Sequence, residues 1–565
     1  MRMTRTVTGR GWRCIVAPAA VFLFAAGLLA LGLSCSGPKA TEPRKPREVE
    51  VPAYLKDTVG ELARFAGREF IPVRGYGFVT GLDGTGTRVV PPGIRQYILD
   101  VMRKNKVEDA EKILTSPDTA VVLVSGLLSP GINKSEVFDL NVQAVPSTET
   151  TSLEGGFLLE AELSRVVTAR GVSERSETLA LGRGSIFVWP FGADEKSKSG
   201  GDLRTGRILA GGRATNGRRF RLVLLTPSVR TIDQMIRIIN ARFPNAAKGT
   251  TDPARIDLEV PREYQHDQTR FLDLVGCLYL RETLDARDQR INLLIESLGG
   301  GKDLDSIALC LEAFGPSVVP RLRPLADDPR EVVRFHVGRT LANLQDAQAV
   351  HVLERIALDD KSDYQEGAVE ALGRIQSGVG LGVLGRVLDV KNARARVAAW
   401  RAMIRLTPGT FVVRSFPDKF VLSAVATKTE PFVYVSRTLR PHLAVFGDVT
   451  VVPPVLVETH RVTATVVGGA KEVTLIARRR GHDLRIEAPL DVKGMVEKLA
   501  APFGIDEKNS TLRGLDLGYS DVVGILYEMS RKQALSGPIV LQPLEIRISG
   551  DRPVARPITP EEALP

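Results

Sequence analysis

The sequence predicts an α+β chain: β-rich N- and C-terminal parts with an all-α solenoid inserted between them. Three observations carry this. Residues 53–262 hold strand-like segments, namely the buried-type run Ala120–Val124, the period-two stretch Val137–Val142, and Phe157–Val167 in the same style. From 268 to 406 the apolar period becomes helical and repeats every 31 residues: Val337, Leu341 and Leu344 recur as Ala368, Leu372 and Ile375, then as Ala399, Met403 and Leu406. After Thr407 the strand pattern returns, with Phe432–Val435, His442–Phe446 and Asp448–Val451.

The first 34 residues read as a leader. Arg2, Arg5, Arg10 and Arg13 precede an apolar run from Ile15 to Leu33 that ends at Leu31-Gly32-Leu33-Ser34-Cys35. A cysteine after small residues at that point resembles a bacterial lipoprotein cleavage site, which makes Cys35 the lipidation site. An uncleaved anchor and plain secretion are the alternatives. Acylation of Cys35 would give a durable anchor, since each buried methylene adds about 0.8 kcal/mol. Residues 35–52 are rich in Pro, Lys, Arg and Glu and suit an extended tether. Ser36 after the cysteine favours the outer membrane.

With 43% hydrophobic and 25% charged residues, the 565-residue chain can build a sizeable core. Four positive charges of its net +10 lie in the leader, leaving +6. An exported chain of this charge suits anionic cell wall or an acidic protein surface rather than nucleic acid. Beyond the leader only Cys277 and Cys310 remain. Both lie on apolar helical patterns, where inert buried thiols are the default, and an oxidising compartment also permits a disulfide between them.

Within 53–262, helices are expected at Pro92–Lys104, with Ile94, Ile98 and Met102 on one face, and at Thr231–Phe243. The Gly- and Arg-rich stretch 194–221 reads as a solvated loop. Arg204, Arg207, Arg213, Arg218 and Arg219 make it a candidate basic contact surface. In the solenoid, the second helices keep step as well, Leu353 and Ile356 matching Leu384 and Val387, and a looser copy lies at Leu309–Leu325. Ala371–Ile375, ALGRI, resembles HEAT-type repeats. Each unit buries its apolar face only by stacking on neighbours, which suits an array that binds a protein partner. In the C-terminal part, residues 410–549, Arg461–Val467 and Glu472–Arg478 flank Gly468-Gly469 as a hairpin, Val492–Leu499 and Asp521–Met529 are helical, and Pro538–Leu541 is a last strand. Residues 550–565 read as a loose tail.

The densest signal is Arg74–Gly86, RGYGFVTGLDGTG, followed by Ser152-Leu153-Glu154-Gly155-Gly156. Five glycines in thirteen residues read as a strand, Phe78-Val79-Thr80, bracketed by sharp turns and pressed close to another backbone or a partner. Gly84-Thr85-Gly86 lacks the lysine of a phosphate loop, and Gly75-x-Gly77 with Gly81 has the wrong spacing for a dinucleotide fingerprint. Asp83 among glycines suggests an Asx-type turn. No cysteine pair has metal-ligand spacing, and no nucleophile, base and orienting group assemble. The expectation is therefore no enzyme, no cofactor and no metal.

These blocks resemble the flagellar P-ring family. Gly75-Tyr76-Gly77, Gly81-Leu82 and Gly84-Thr85-Gly86 are similar to its GYGLVVGLxGTG segment, and Ser152-Leu153-Glu154-Gly155-Gly156 to its SLxGG. Ala120–Ser125, Gly206-Arg207-Ile208 and Ile256–Pro261 follow in the family's order. Beyond the solenoid, Ala444–Val449 with Pro453 is similar to its VVIGGDVRISP block, and Val492–Gly504 and Val523–Leu535 to its closing helices. The resemblance implies a homo-oligomeric periplasmic ring around the flagellar rod, touching peptidoglycan and the L ring, with the glycine motifs packing subunits. Two features depart from it: the lipid anchor and the solenoid, which needs a further protein partner. The competing reading is a lipid-anchored envelope scaffold unrelated to motility.

Overall fold

The computed structural model describes residues 51–543, apart from 105–107, 170–171, 191–201, 282, 301–302, 480–481, 507–510 and 513. Cys35, the leader, most of the tether and the tail lie outside the described residues. The N-terminal part runs α1 (Val59–Leu62), β1 (Ala63–Ala66), β2 (Ile71–Thr80), α2 (Pro92–Lys104), α3 (Ala110–Leu114), β3 (Thr119–Leu128), β4 (Val137–Ala144), β5 (Phe157–Ala169), β6 (Val172–Ser185), β7 (Thr205–Ala214), β8 (Phe220–Leu224), α4 (Val229–Arg242), β9 (Ala247–Gly249) and β10 (Arg255–Leu258).

Six of these strands close into an antiparallel barrel in the order β2-β3-β4-β7-β6-β5. Alternation explains the closure. Val79 on β2 and Val122 and Val124 on β3 point inward with Leu140, Leu163 and Ile208. Phe78 and Val121, one residue out of phase, face outward and are covered by Ile98, Leu99 and Met102 of α2 and Leu114 of α3. Closure leaves these strands without an open edge. The remaining strands form a second sheet, β1-β8-β10-β9, covered by Ile232, Met235 and Ile239 of α4. Ser228 caps α4 by accepting from the Thr231 amide.

The helical part holds α5 (Gln268–Cys277), α6 (Leu284–Leu298), α7 (Leu304–Ala313), α8 (Val319–Leu322), α9 (Glu331–Asn343), α10 (Gln348–Ala357), α11 (Gln365–Leu372), α12 (Gly378–Val387) and α13 (Ala393–Leu406). The 31-residue period is written in its hydrogen bonds. Asn343 Nδ2 donates to Glu312 Oε2, Arg374 Nη1 to Asn343 Oδ1, the Gln376 amide to Gln345 Oε1, and the Lys391 amide to Asp360 Oδ1, each across 31 positions. Equivalent polar residues therefore stack from repeat to repeat, while Leu341, Leu353, Leu372, Leu384 and Ala399 form the shared core.

The C-terminal part has β11 (Val412–Phe416), β12 (Phe420–Val425), β13 (Phe432–Val435), β14 (His442–Phe446), β15 (Val455–Glu458), β16 (Val462–Val466), β17 (Glu472–Arg479), β18 (His482–Pro489), α14 (Val492–Ala500), β19 (Ile505–Asp506), β20 (Thr511–Leu512), α15 (Tyr519–Arg531) and β21 (Ile539–Leu541). A mixed sheet, β11-β12-β14-β13-β21, and a meander, β15-β16-β17-β18, enclose α14 and α15 in one core. The expected strand at Asp448–Val451 is reduced to single bridges at Thr450 and Val451. Arg396 ties the solenoid to this part. It is 1% exposed, donates to Glu430 O and Thr427 Oγ1, and lies over the Phe432 ring.

Two histidines are held in a neutral form, His336 buried and His442 half-buried. His336 on α9 is pushed down to about 4, by burial first and then by Arg339, with Asp305 opposing. His442 is also pushed down to about 4, by burial and by Arg401 and Arg440. The unfolded chain binds these protons near 6.5 and the folded chain does not. Their stabilisation is therefore complete above that value and is lost as pH falls toward 4. By pH 5 each is expected to cost about 2 kcal/mol, read as a lower urea midpoint than at pH 7. An unchanged midpoint would contradict the burial assignment.

Candidate functional site

The two glycine motifs meet at one end of the barrel. Thr80, Phe157 and Ser185 end or start their strands there, beside Thr119 and Thr205. Gly81 and Gly84 take φ of +81° and +87°, which turns the chain off β2. Thr85 Oγ1 donates to Leu82 O and Ser152 O, and the Thr151 amide donates to Thr85 O. Asp118 holds the turn from below, its carbonyl accepting from the Leu82 amide and its Oδ1 from the Gly84 amide. Leu82 and Leu153 are 1% and 0% exposed and plug the barrel end. The Leu153 amide donates to Leu203 O and the Ile186 amide to Gly156 O, so the SLEGG loop also ties in the chain around β6 and β7.

The strand is longer than the sequence suggested. β2 runs from Ile71 through Gly75, Tyr76 and Gly77 to Thr80, so these two glycines lie inside the strand instead of in a turn before it. The reason is crowding across the barrel. A Cβ on Gly75 would stand 2.1 Å from Glu162 O, and one on Gly77 would stand 2.6 Å from Leu158 Cδ1. Gly86 is as tight against Thr119 O, at 2.1 Å, and Gly156 sits 2.7 Å from Val79 Cγ1. The motif glycines thus pack β2 and its loop against this chain's own strands; a Cβ on Gly84 would meet nothing within 4 Å.

Asp83 does not act as an Asx turn. Its Oδ2 accepts from Arg461 Nη2 at 2.8 Å, across from the β15–β16 connection. The Arg461 guanidinium also lies where a Cβ on Gly155 would be, 2.5 Å from Cζ, and 3.9 Å from Asp521 Oδ2. Burial alone would lower the Arg461 pKa, but Asp521, Asp83 and Glu154 together hold it above its usual value. Burial pushes the carboxyls of Asp521 and Glu154 up, and Arg461 pulls both back. One arginine thus bonds the glycine loop to the start of α15.

A second junction lies at the bulge between β4 and β7. Both Asp139 oxygens accept from the Leu439 amide, and Oδ1 also accepts from the Ala210 amide. Arg207 donates to Arg437 O and stands 3.6 Å from Asp139 Oδ2. Phe187 and Leu209 enter the C-terminal core, Phe187 lying 5.3 Å from the Tyr519 ring.

The expected loop at 194–221 is corrected for its described portion. Residues 205–214 form β7, because the glycines that suggested a loop admit bulky neighbours: Phe138 fills the space at Gly212, and Ile186 that at Gly206. Three of its arginines are held inside the molecule. Arg204 donates to Val145 O and Thr148 O, Arg207 acts as above, and Arg218 donates to Glu69 and Ser129 O. Arg213 and Arg219 are exposed. Among the described residues no group of three His, Cys, Asp or Glu could hold a metal ion, and no helix is long and apolar enough to cross a membrane.

Cys277 and Cys310 face each other across α5 and α7, with sulfurs 3.0 Å apart and both side chains buried. In an oxidising compartment they are expected to give up two protons and two electrons to a disulfide-carrying oxidant and join. Closing 33 residues would stabilise the fold by about 3–4 kcal/mol. Mass spectrometry of exported protein should show the loss of two hydrogens, reversed by reductant; two free thiols would refute this.

The fold and this double junction define a barrel-based structural module, stapled to a second α+β part and carrying a repeat solenoid. Residues 58–292 match the family model described as flagellar P-ring protein, and residues 305–373 match that for HEAT repeats. The flagellar P-ring protein of Thermotoga maritima is 28% identical over 242 residues, covering 40% of this chain and 68% of that protein. That of Anaeromyxobacter dehalogenans is 25% identical over 309 residues, covering 52% and 77%. Flagellar P-ring protein 1 of Chromobacterium violaceum is 30% identical over 199 residues, covering 33% and 51%. The N-terminal part is therefore similar to flagellar P-ring proteins, and the stretch that follows it in the chain is similar to HEAT repeats. The family match runs through α5 and into α6, so the helical stretch begins within the matched region.

Proposed function

We propose that this chain is a structural subunit of the flagellar basal-body P ring in the periplasm. In this reading the barrel and the C-terminal part are the ring-building body, and the solenoid is an added docking arm. The observation that supports it best is the joining of the two family motifs, through Thr85 and Ser152, into one plug at the barrel end within the matched region. Many copies would surround the rod through two different surfaces per subunit, since a closed ring uses heterologous contacts. Peptidoglycan and the L ring are its proposed neighbours, Arg213 and Arg219 its candidate wall contacts, and acylated Cys35 its proposed tether to the outer membrane. The exposed turn around Gly84 is left to face a neighbouring subunit. The resemblance of Ala444–Val449 and the closing helices makes the C-terminal part the rest of the same body.

Deleting the gene is expected to leave cells without complete flagella. Complementation should restore them, and a Cys35→Ser copy should lose its membrane attachment. Normal filaments and swimming in the deletion strain would instead favour the envelope scaffold, a reading supported by the stacked repeats of the solenoid.

A further inference from the structure

A cleft of about 1200 Å³ lies between the polar ladder of the solenoid and the edge of the mixed sheet at β21. Its charge changes along the repeat. The ladder position reads Glu312, Asn343, Arg374 and, one period further, Arg405. At the first end the charges are spent on each other: Glu312 accepts from Arg270, and Asp267 lies 3.7 Å from Arg374. At the last end they are not. Arg394, Arg401 and Arg405 on α13, with Arg440 from the β13–β14 connection, are exposed cleft residues. Among the described residues none of these four has a carboxylate within salt-bridge reach. Arg401 lies over the Tyr434 ring, its Cζ 5.8 Å from the centroid.

The floor beside them holds Trp400 and Tyr434, each 2% exposed, whose Nε1 and OH have no hydrogen-bond partner among the described residues. Glu366 and Glu370 on the neighbouring α11 are also cleft residues, so the free basic stretch is confined to α13 and Arg440. Spacing then narrows the ligand. Along a helix, Arg401 and Arg405 are about 6 Å apart and Arg394 and Arg401 about 10 Å. An extended peptide advances about 3.3 Å per residue and alternates its faces, so carboxylates two positions apart match the Arg401–Arg405 step.

We propose that this cleft docks an extended acidic segment of a partner protein, with carboxylates in the pattern Glu-x-Glu laid along Arg401 and Arg405, and Arg394 and Arg440 adding to the positive field. This rests on the reading of the solenoid as a docking arm and gives that arm its chemistry. Each guanidinium–carboxylate pair forms charge-assisted hydrogen bonds, and losing one should weaken binding by about ten-fold or more.

The test is fluorescence anisotropy with the full-length protein and a labelled peptide of about nine residues carrying that pattern. Binding should weaken with salt, and Arg401→Glu with Arg405→Glu should reduce affinity at least about a hundred-fold without moving the thermal midpoint. A peptide of the same composition with its glutamates contiguous should bind several-fold more weakly. Equal binding of the two peptides, unchanged affinity in the variant, or preference for soluble anionic wall-glycan fragments would overturn the proposal. Ring formation is read separately by negative-stain imaging, so failure of the cleft and failure of the ring reading are distinguishable.

Discussion

Gly75→Ala is expected to destabilise the protein by about 3 kcal/mol, the larger end of what overpacking costs. The added methyl would lie 2.1 Å from the Glu162 carbonyl oxygen and 3.1 Å from Leu163 Cδ2. The first of these is backbone of β5 and cannot rotate aside. Relief requires the β2–β5 seam to open, where the register already shifts between Arg74 and Val79. Gly84→Ala is the control. Its Cβ would meet nothing within 4 Å, and only its φ of +87° is unfavourable, which costs about 1 kcal/mol. Urea unfolding of the two variants should separate them clearly; equal small shifts would mean that β2 is not pressed against β5.

Arg461→Met is expected to cost about 2–3 kcal/mol, because it strands charges more than it removes an attraction. Asp521 is 12% exposed at its side chain, and Glu154 is half-buried; both would keep their desolvation and lose the guanidinium that offsets it. Asp83, at 45% side-chain exposure, should matter less, and Asp83→Asn alone is expected to cost about 1 kcal/mol. The double variant should lose less than the sum of the two, since they share one ion pair. Strict additivity in urea midpoints would show that Arg461 does not bridge the two parts.

The extent to which the sequence disclosed this architecture follows from the range of each interaction. Pro92–Lys104 and the 31-residue repeat were readable because helices and stacked helix pairs satisfy themselves locally, so Ile98, Met102, Leu341 and Leu372 show the burial their spacing predicts. β7 was not readable. Its Gly206 and Gly212 look like loop residues until Ile186 and Phe138, far away in the chain, are seen to need the space. The same holds for Gly75 and Gly77, whose place inside β2 depends on Glu162 and Leu158. Arg461 left no local mark at all, as its partners Asp83 and Asp521 lie 378 and 60 positions away. Asp139 offered only its alternating place in β4, with nothing to announce that its carboxylate would receive the Leu439 amide.

The polar ladder of the solenoid has a consequence for the order in which the molecule forms. Its bonds join residues 31 positions apart, whereas Arg461 meets Asp83 across 378 and Leu439 meets Asp139 across 300. Closing a long loop costs more entropy than closing a short one, and contacts between distant residues form late. The repeats are therefore expected to assemble before the two β-rich parts meet. On that expectation the helical array is less an ornament on a finished body than the span that shortens the loop between the barrel and its second half.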